Sequence, residues 1–372
     1  MKKEKSFCTV MLILLLCIGS SIFIITPRTF SEHENRSLAT LPKLTPESIW
    51  NKTFFEDISS FYRDQFVFRQ ALLSTRSLTE ALLLRGENGS VIFGDEGYLI
   101  ARHDYESLDI LSENVSAISK FSDKMKDLGK DVKISIAPRA VDVLSEGLPA
   151  SYPTEYDKRI YGTIDRLDTL DGRAVFDECC LSDNVWYKTD HHWTTKGAYL
   201  FYRSMCEQYG IEPYGLELFT IESVSEDFLG TSYSKSQAIH ATADTIELYR
   251  YENDRNFTVY LPSTSKSISG FYDFSALQKK DKYQIFLSGN SDVVQIRENG
   301  AEQKPRLLLI KDSFANSSVP FLALHFDIDL IDLRYYKGSL SEYIEKNGFD
   351  RIGILCGADT LATDRSMIFI NS

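Results

Sequence analysis

Cysteine is scarce in this 372-residue chain, at six residues, and none of the six sits in a recognisable cysteine motif. Cys8 and Cys17 fall in an apolar N-terminal run, while Cys179, Cys180, Cys206 and Cys356 match no zinc or redox spacing. Adjacent cysteines such as Cys179 and Cys180 rarely bond each other, so these four read as buried thiols or one incidental disulfide. Excess positive charge is missing too. There are 41 Lys and Arg against 53 Asp and Glu, a net charge of -12. That balance argues against nucleic acid and against broad adhesion to anionic lipid. Internal repeats and low-complexity tracts are also absent. With 43% hydrophobic residues, the chain can bury the core of one large domain, with at most a small accessory region.

The N-terminus is informative by contrast. Met1 to Lys5 is basic, and Phe7 to Ile25 is uncharged and mostly apolar. A bilayer needs about 20 such residues, and the lysines before the run place the start of the chain in the cytoplasm. No small-x-small cleavage site follows Ile25. Residues 1–25 are therefore expected to be a signal anchor, giving a single-pass membrane protein whose C-terminal part is extracytoplasmic. The competing reading is a signal peptide whose removal releases the chain.

Residues 26–85 read as a linker followed by two amphipathic helices, with Phe54, Phe55, Ile58, Phe61 and Leu72 among the apolar residues at helical spacing. Residues 86–372 read as the main domain. It begins with a hairpin around Gly94-Asp95-Glu96-Gly97 and continues through a helix over Tyr105–Leu128 to a buried strand, Val132–Ala137. Tyr156–Leu170 reads as helix, Ala174–Phe176 as a short strand and Thr195–Tyr209 as helix. Residues 222–296 are a string of short alternating segments, Tyr283–Leu287 among them, and suggest a β-rich antiparallel insertion. The tail returns to strand–helix alternation, which implies an α/β fold with a parallel sheet and right-handed crossovers.

The chemistry concentrates in two segments. Asp190, His191, His192 and Trp193 lie together in a polar loop. An Asp beside a His is the acid–base half of a relay, in which His moves the proton and Asp fixes its tautomer. The nucleophile that this pair lacks lies far downstream. There a buried-strand pattern runs into Asp312-Ser313 and then into a helical pattern. A serine at such a turn exposes its hydroxyl, and the helix-start N–H groups can face a developing oxyanion. Taken alone, Ser313 is as well explained as a helix cap. Paired with the upstream Asp and His, it reads as the nucleophile of a Ser–His–Asp acyl-transfer site.

These strings resemble the DHHW protein family, named for Asp190-His191-His192-Trp193. The resemblance also rests on Asp64-Gln65-Phe66, Ala137-Pro138-Arg139, Phe228-Leu229-Gly230-Thr231, Tyr283 to Asn290, Lys311-Asp312-Ser313-Phe314 and Asp332-Leu333-Arg334. That family is similar to the SGNH-like proteins of alginate and exopolysaccharide O-acetylation. The resemblance implies a three-layer SGNH-hydrolase-like fold and O-acetyl transfer to or from a cell-envelope or secreted polysaccharide. It implies an Asp-x-His pair upstream of the serine, hence catalytic Ser313, His192 and Asp190. It also implies a membrane-bound O-acyltransferase as donor, no organic cofactor and no metal. Asn290, after Gly289, suits the oxyanion asparagine of SGNH enzymes and an ordinary turn position equally. Two departures stand out. Lys311 occupies the Gly position of the usual Gly-Asp-Ser, where it would narrow the pocket or pair with Asp312. In addition, Gly230-Thr231-Ser232-Tyr233-Ser234 resembles a nucleophile motif of some alginate relatives. No strand pattern precedes that motif and no clear helical pattern follows it, so Ser313 is preferred.

Other residues carry open alternatives. Arg334 and Arg139 follow predicted parallel strands, where such sheets bind ligands, and structural ion pairs explain them equally. Trp193 suits stacking on a sugar ring or packing under its loop. His191 reads as a hydrogen-bonded loop residue, and a metal at Asp190, His191 and His192 would need a further ligand. Two other functions stay open: an esterase or deacetylase using the same triad, and a non-catalytic glycan-binding scaffold.

Overall fold

The computed structural model describes residues 9–13, 27–31, 34–83, 85–88, 91–102, 107–149, 152 and 155–372. Most of the apolar run Phe7 to Ile25 lies outside the described residues. Among them, no helix is long and apolar enough to cross a membrane. The chain divides into two compact units, residues 1–88 with 234–239, and residues 89–233 with 240–372.

Residues 46–82 of the smaller unit form three helices, Pro46–Trp50, Thr53–Gln65 and Arg69–Leu82, where two were expected. Lys52, in the left-handed region at φ 62°, breaks the first from the second. Asp64 accepts both guanidinium nitrogens of Arg36, at 2.9 and 2.6 Å. Arg69 makes a matching fork to Glu34, with both contacts at 2.8 Å. Glu34, Arg36, Asp64 and Arg69 thus form one ion-pair network.

The larger unit is built on an eight-stranded sheet. Its strands are β1 (Val132–Ala137), β2 (Thr169–Asp171), β3 (Phe257–Leu261), β4 (Lys266–Ser269), β5 (Val293–Glu298), β6 (Arg306–Lys311), β7 (Asp327–Ile331) and β8 (Arg351–Gly357), in the order β4-β3-β5-β7-β6-β8-β1-β2. The five strands β7, β6, β8, β1 and β2 pair in parallel. Strands β5, β3 and β4 extend the sheet with antiparallel pairings. The antiparallel strands expected within residues 222–296 are therefore divided. Three of them join the main sheet, while Phe219–Phe228 and Asp244–Tyr251 form a separate two-stranded ladder.

Period-2 alternation sorts the β6 side chains to opposite faces. Leu307 and Leu309 pack with helix α2 (Thr195–Tyr209) and helix α3 (Ala315–Leu322). Leu308 and Ile310 pack with α1 (Asp109–Asp127), α4 (Leu340–Asn347) and α5 (Ala358–Thr363). A strand covered on both faces has no polar side to alternate with, which is why Leu307–Ile310 reads as a continuous apolar run.

Two expected strands are absent. Ala174–Phe176 lies in and just after a helical turn, Gly172–Val175, and the strand falls one step earlier at Thr169–Asp171. Asp171 caps that turn by accepting from the Arg173 N–H. Tyr283–Leu287 begins with a 3-10 turn, Lys282–Ile285, and ends with Leu287 and Ser288 at φ 59° and 65°. Strand pairing cannot continue through such left-handed residues.

Candidate active site

The Asp-His-His-Trp loop is fixed before it does any chemistry. Thr194 caps α2, accepting from the Gly197 N–H. Asp244, at the start of its ladder strand, accepts from the Lys188 and Thr189 N–H groups, both at 2.8 Å. Trp193 is fully buried and donates from Nε1 to the Phe314 carbonyl at 3.1 Å and to Ser317 Oγ at 3.0 Å. That ring leaves no face for a sugar. Its role is to clamp the loop to the turn that bears Ser313.

Ser313 follows β6 and precedes α3, as the strand–turn–helix pattern requires. Asp312 shapes the turn. Its Oδ1 accepts from the Phe314 N–H at 2.9 Å, and its Oδ2 from the Gly357 N–H and Thr360 Oγ1 at 2.7 and 2.6 Å.

The structure brings Asp190, His192 and Ser313 together in one chain of hydrogen bonds. His192 Nδ1 lies 2.6 Å from Asp190 Oδ1, and His192 Nε2 lies 2.7 Å from Ser313 Oγ. An acceptor-only carboxylate on Nδ1 selects the tautomer protonated there and leaves Nε2 free to accept the serine proton. The imidazole also stacks on Tyr283, with centroids 3.9 Å apart and planes 5° from parallel. Burial alone would push the Asp190 carboxyl up. The His191 and His192 imidazoles and the Thr231 N–H oppose that and hold it well below the usual carboxylate range.

The Gly230-Thr231 motif serves this carboxylate. Asp190 Oδ2 accepts from Thr231 N at 2.7 Å and Thr231 Oγ1 at 3.0 Å. A Cβ on Gly230 would stand 2.3 Å from Asp190 Cβ. The surroundings of Ser232 differ from expectation, since a strand precedes it and a short helix, Thr231–Ser236, contains it. Its hydroxyl is nevertheless buried with no hydrogen-bond partner among the described residues, whereas His192 turns to Ser313.

The remaining candidates separate clearly. His191 is partly exposed and bonds through Nδ1 to Thr231 Oγ1 at 2.6 Å. Asp190, His191 and His192 each bring one ligand atom within 4.8 Å of the others, with no fourth protein ligand in the cluster among the described residues. Arg139 is buried in a bidentate pair with Asp142, at 2.9 and 2.5 Å, and Tyr161 donates to the same carboxylate. Its role there is structural. Arg334 pairs bidentately with Asp332, at 2.9 and 2.6 Å, and keeps 25% of its side chain exposed. Asn290 uses its side-chain oxygen to accept from Lys311 Nζ at 2.8 Å. Lys311 therefore does not pair with Asp312. Sequence reasoning gave Tyr283, Thr231 and Asn316 no individual role, because each acts through a neighbour distant in sequence.

A serine hydroxyl, an imidazole and a carboxylate in one hydrogen-bonded chain, at the C-terminal edge of parallel strands, have the geometry that serine acyl transfer requires. Residues 161–331, which carry this relay, match the model of the DHHW protein family. The resemblance to that family is therefore borne out over that stretch. A DHHW family protein from Eubacterium siraeum is 21% identical and superposes over 77% of this chain and 96% of its own, with a TM-score of 0.64. PatB1 from Bacillus cereus, in a structure with a sulfonyl adduct, is 19% identical over 76% of this chain and 100% of its own, with a TM-score of 0.62. The O-acetyltransferase domain of Pseudomonas putida AlgJ is 14% identical over 74% of this chain and 93% of its own, with a TM-score of 0.47. The likeness to the first two, at these identities, speaks for the fold alone. No curated protein matches the chain.

Proposed function

We propose that this chain transfers an O-acyl group, acetyl by preference, to or from a cell-envelope or secreted polysaccharide, on a three-layer SGNH-like fold. The observation that carries the reading is His192 bridging Asp190 and Ser313 at 2.6 and 2.7 Å. Ser313 Oγ attacks the acyl carbonyl and gives its proton to His192 Nε2. The imidazolium, steadied by Asp190, returns the proton to the leaving group. His192 then takes a proton from the acceptor hydroxyl as that oxygen bonds to the acyl carbon, and returns it to Ser313 Oγ as the serine ester bond breaks. A membrane-bound acyltransferase is the proposed donor. An N-terminal anchor over Phe7 to Ile25 would hold the site outside the cytoplasm, near that donor.

The test is acylation by a chromogenic acetyl ester, read by mass, with a sulfonyl fluoride as a covalent probe. Ser313→Ala should form neither adduct while keeping the thermal midpoint, and Ser232→Ala should form both. The opposite pattern overturns the assignment. Deacylation by water that no glycan acceptor outcompetes would instead make the protein an esterase. A wild-type chain inert to both probes would leave only the non-catalytic scaffold.

A further inference from the structure

The proposed reaction gives no task to a buried lysine next to its nucleophile. Lys311 ends β6, with 1% of its side chain exposed. Its ammonium donates to Asn290 Oδ1 and to Asn316 Oδ1, both at 2.8 Å, and lies 3.8 Å from Asp332 Oδ2. Asn316 Nδ2 donates to Asn290 Oδ1 at 3.1 Å. A cation this deep is strongly penalised unless oxygens surround it, as they do here. Burial still pulls its pKa down to about 8, with Arg334 adding to that and Asp332 and Asp312 opposing it.

Counting donors and acceptors shows what the cluster does. A carboxamide has one oxygen and one NH2. Asn316 uses both inside the cluster. Asn290 spends its oxygen on two donors, so its NH2 faces away from them and has no acceptor among the described residues. Lys311, Asn316 and Asp332 are at most 2% exposed, whereas Asn290 is exposed. A buried scaffold thus ends in one outward amide donor. The sheet places that donor at the edge where Ser313 opens. Strand β5 runs antiparallel to β7 with Val293 opposite Ile331, which sets the residues before Val293 beside the C-terminal ends of the parallel strands. Asn316, bonded to Asn290, also donates its backbone N–H to the Ser313 carbonyl at 3.2 Å.

We propose that Lys311 is a positioning residue: it locks the Asn290 amide with its oxygen inward, so that the Asn290 NH2 is held for the oxyanion formed at Ser313. This rests on the serine mechanism proposed above. As the Ser313 Oγ–carbon bond forms, the carbonyl π pair moves to oxygen and the serine proton goes to His192. The oxygen then gains charge opposite a preorganised donor. With the amide reversed, the Asn290 oxygen would face that charge and its NH2 would face an ammonium, so both contacts would repel. A glycine at position 311 could not hold the amide, and the lysine found there supplies the missing constraint.

The experiment uses the full chain, a chromogenic acetyl ester, and phenylboronic acid, whose serine adduct is tetrahedral. Lys311→Met and Asn290→Ala should each lower kcat about a hundredfold, the scale of one oxyanion donor, with KM nearly unchanged. Each should weaken phenylboronate to a similar degree. The double variant should be no slower than the slower single variant, because both remove the same interaction. Lys311→Gln, which keeps a donor, should restore part of the rate and supplies the comparison if the methionine variant does not fold. Losses that multiply in the double variant, or boronate affinity unchanged in the Lys311 variants, overturn the proposal. Acylation that survives Ser313→Ala overturns the underlying mechanism instead, and the Ser313→Ala control tells the two failures apart.

Discussion

Alanine at Gly230 would test the relay at its carboxylate end without touching any reacting atom. The new Cβ would stand 2.3 Å from both Asp190 Cβ and Oδ2, where ordinary contact begins near 3.4 Å. The two groups must therefore separate by about 1 Å. If Asp190 retreats, it loses the Thr231 N–H at 2.7 Å and disturbs the 2.6 Å bond to His192. If the Gly230-Thr231 backbone retreats, it takes the same donor away. Either way a buried carboxylate is left short of donors, which costs about 1–3 kcal/mol, and the thermal midpoint should fall by a few degrees. A displacement of about 1 Å in a catalytic array costs on the order of a hundredfold in rate. We expect Gly230→Ala to turn over a chromogenic acetyl ester about a hundredfold more slowly while Ser313 still accumulates one acyl group per chain. A folded variant with wild-type turnover would refute the argument that Gly230 exists to seat Asp190.

The two histidines should behave very differently in the same assay. His192→Gln should lose several powers of ten in turnover and Asp190→Asn nearly as much, whereas His191→Gln should lose about tenfold at most. A dead His191 variant beside an active His192 variant would reverse the assignment. Beyond the C-terminal end of α3, burial pulls His325 down from 6.5 to about 4. Between those values the unfolded chain binds the extra proton, so stability should rise with pH across that window and fall as pH drops through it. His325→Phe should flatten the slope of thermal midpoint against pH from 4 to 6.5, and an unchanged slope would assign it to other groups. Protease added to intact cells should cut the chain after Pro27 and spare a cytoplasmic control. Protection of both would place the main domain on the wrong side of the membrane.

What was legible in the sequence depended on how locally each feature is encoded. Val132–Ala137 and Thr195–Tyr209 were read with their observed boundaries, because one is a buried apolar run stopped by Pro138 and the other a capped amphipathic helix. Asp190 pairs with His192 through the Asp-x-His pattern that the resemblance implies, and an extended loop, which sends i and i+2 the same way, agrees with it. Their meeting with Ser313, more than a hundred positions later, could only be inferred from the chemistry that each segment lacked. Tyr283–Leu287 was misread because a stretch rich in aromatic and β-branched residues looks like a strand. Its backbone instead turns left-handed at Leu287, Ser288 and Gly289, at φ 59°, 65° and 85°. Non-glycine residues rarely adopt that conformation without tertiary support. That turn leads the chain from Tyr283, stacked on His192, to Asn290, bonded to Lys311. The missed turn and the missed roles of Tyr283 and Lys311 therefore share one physical cause. A conformation held by distant partners leaves no local signature, and here those partners lie within two hydrogen bonds of the candidate nucleophile.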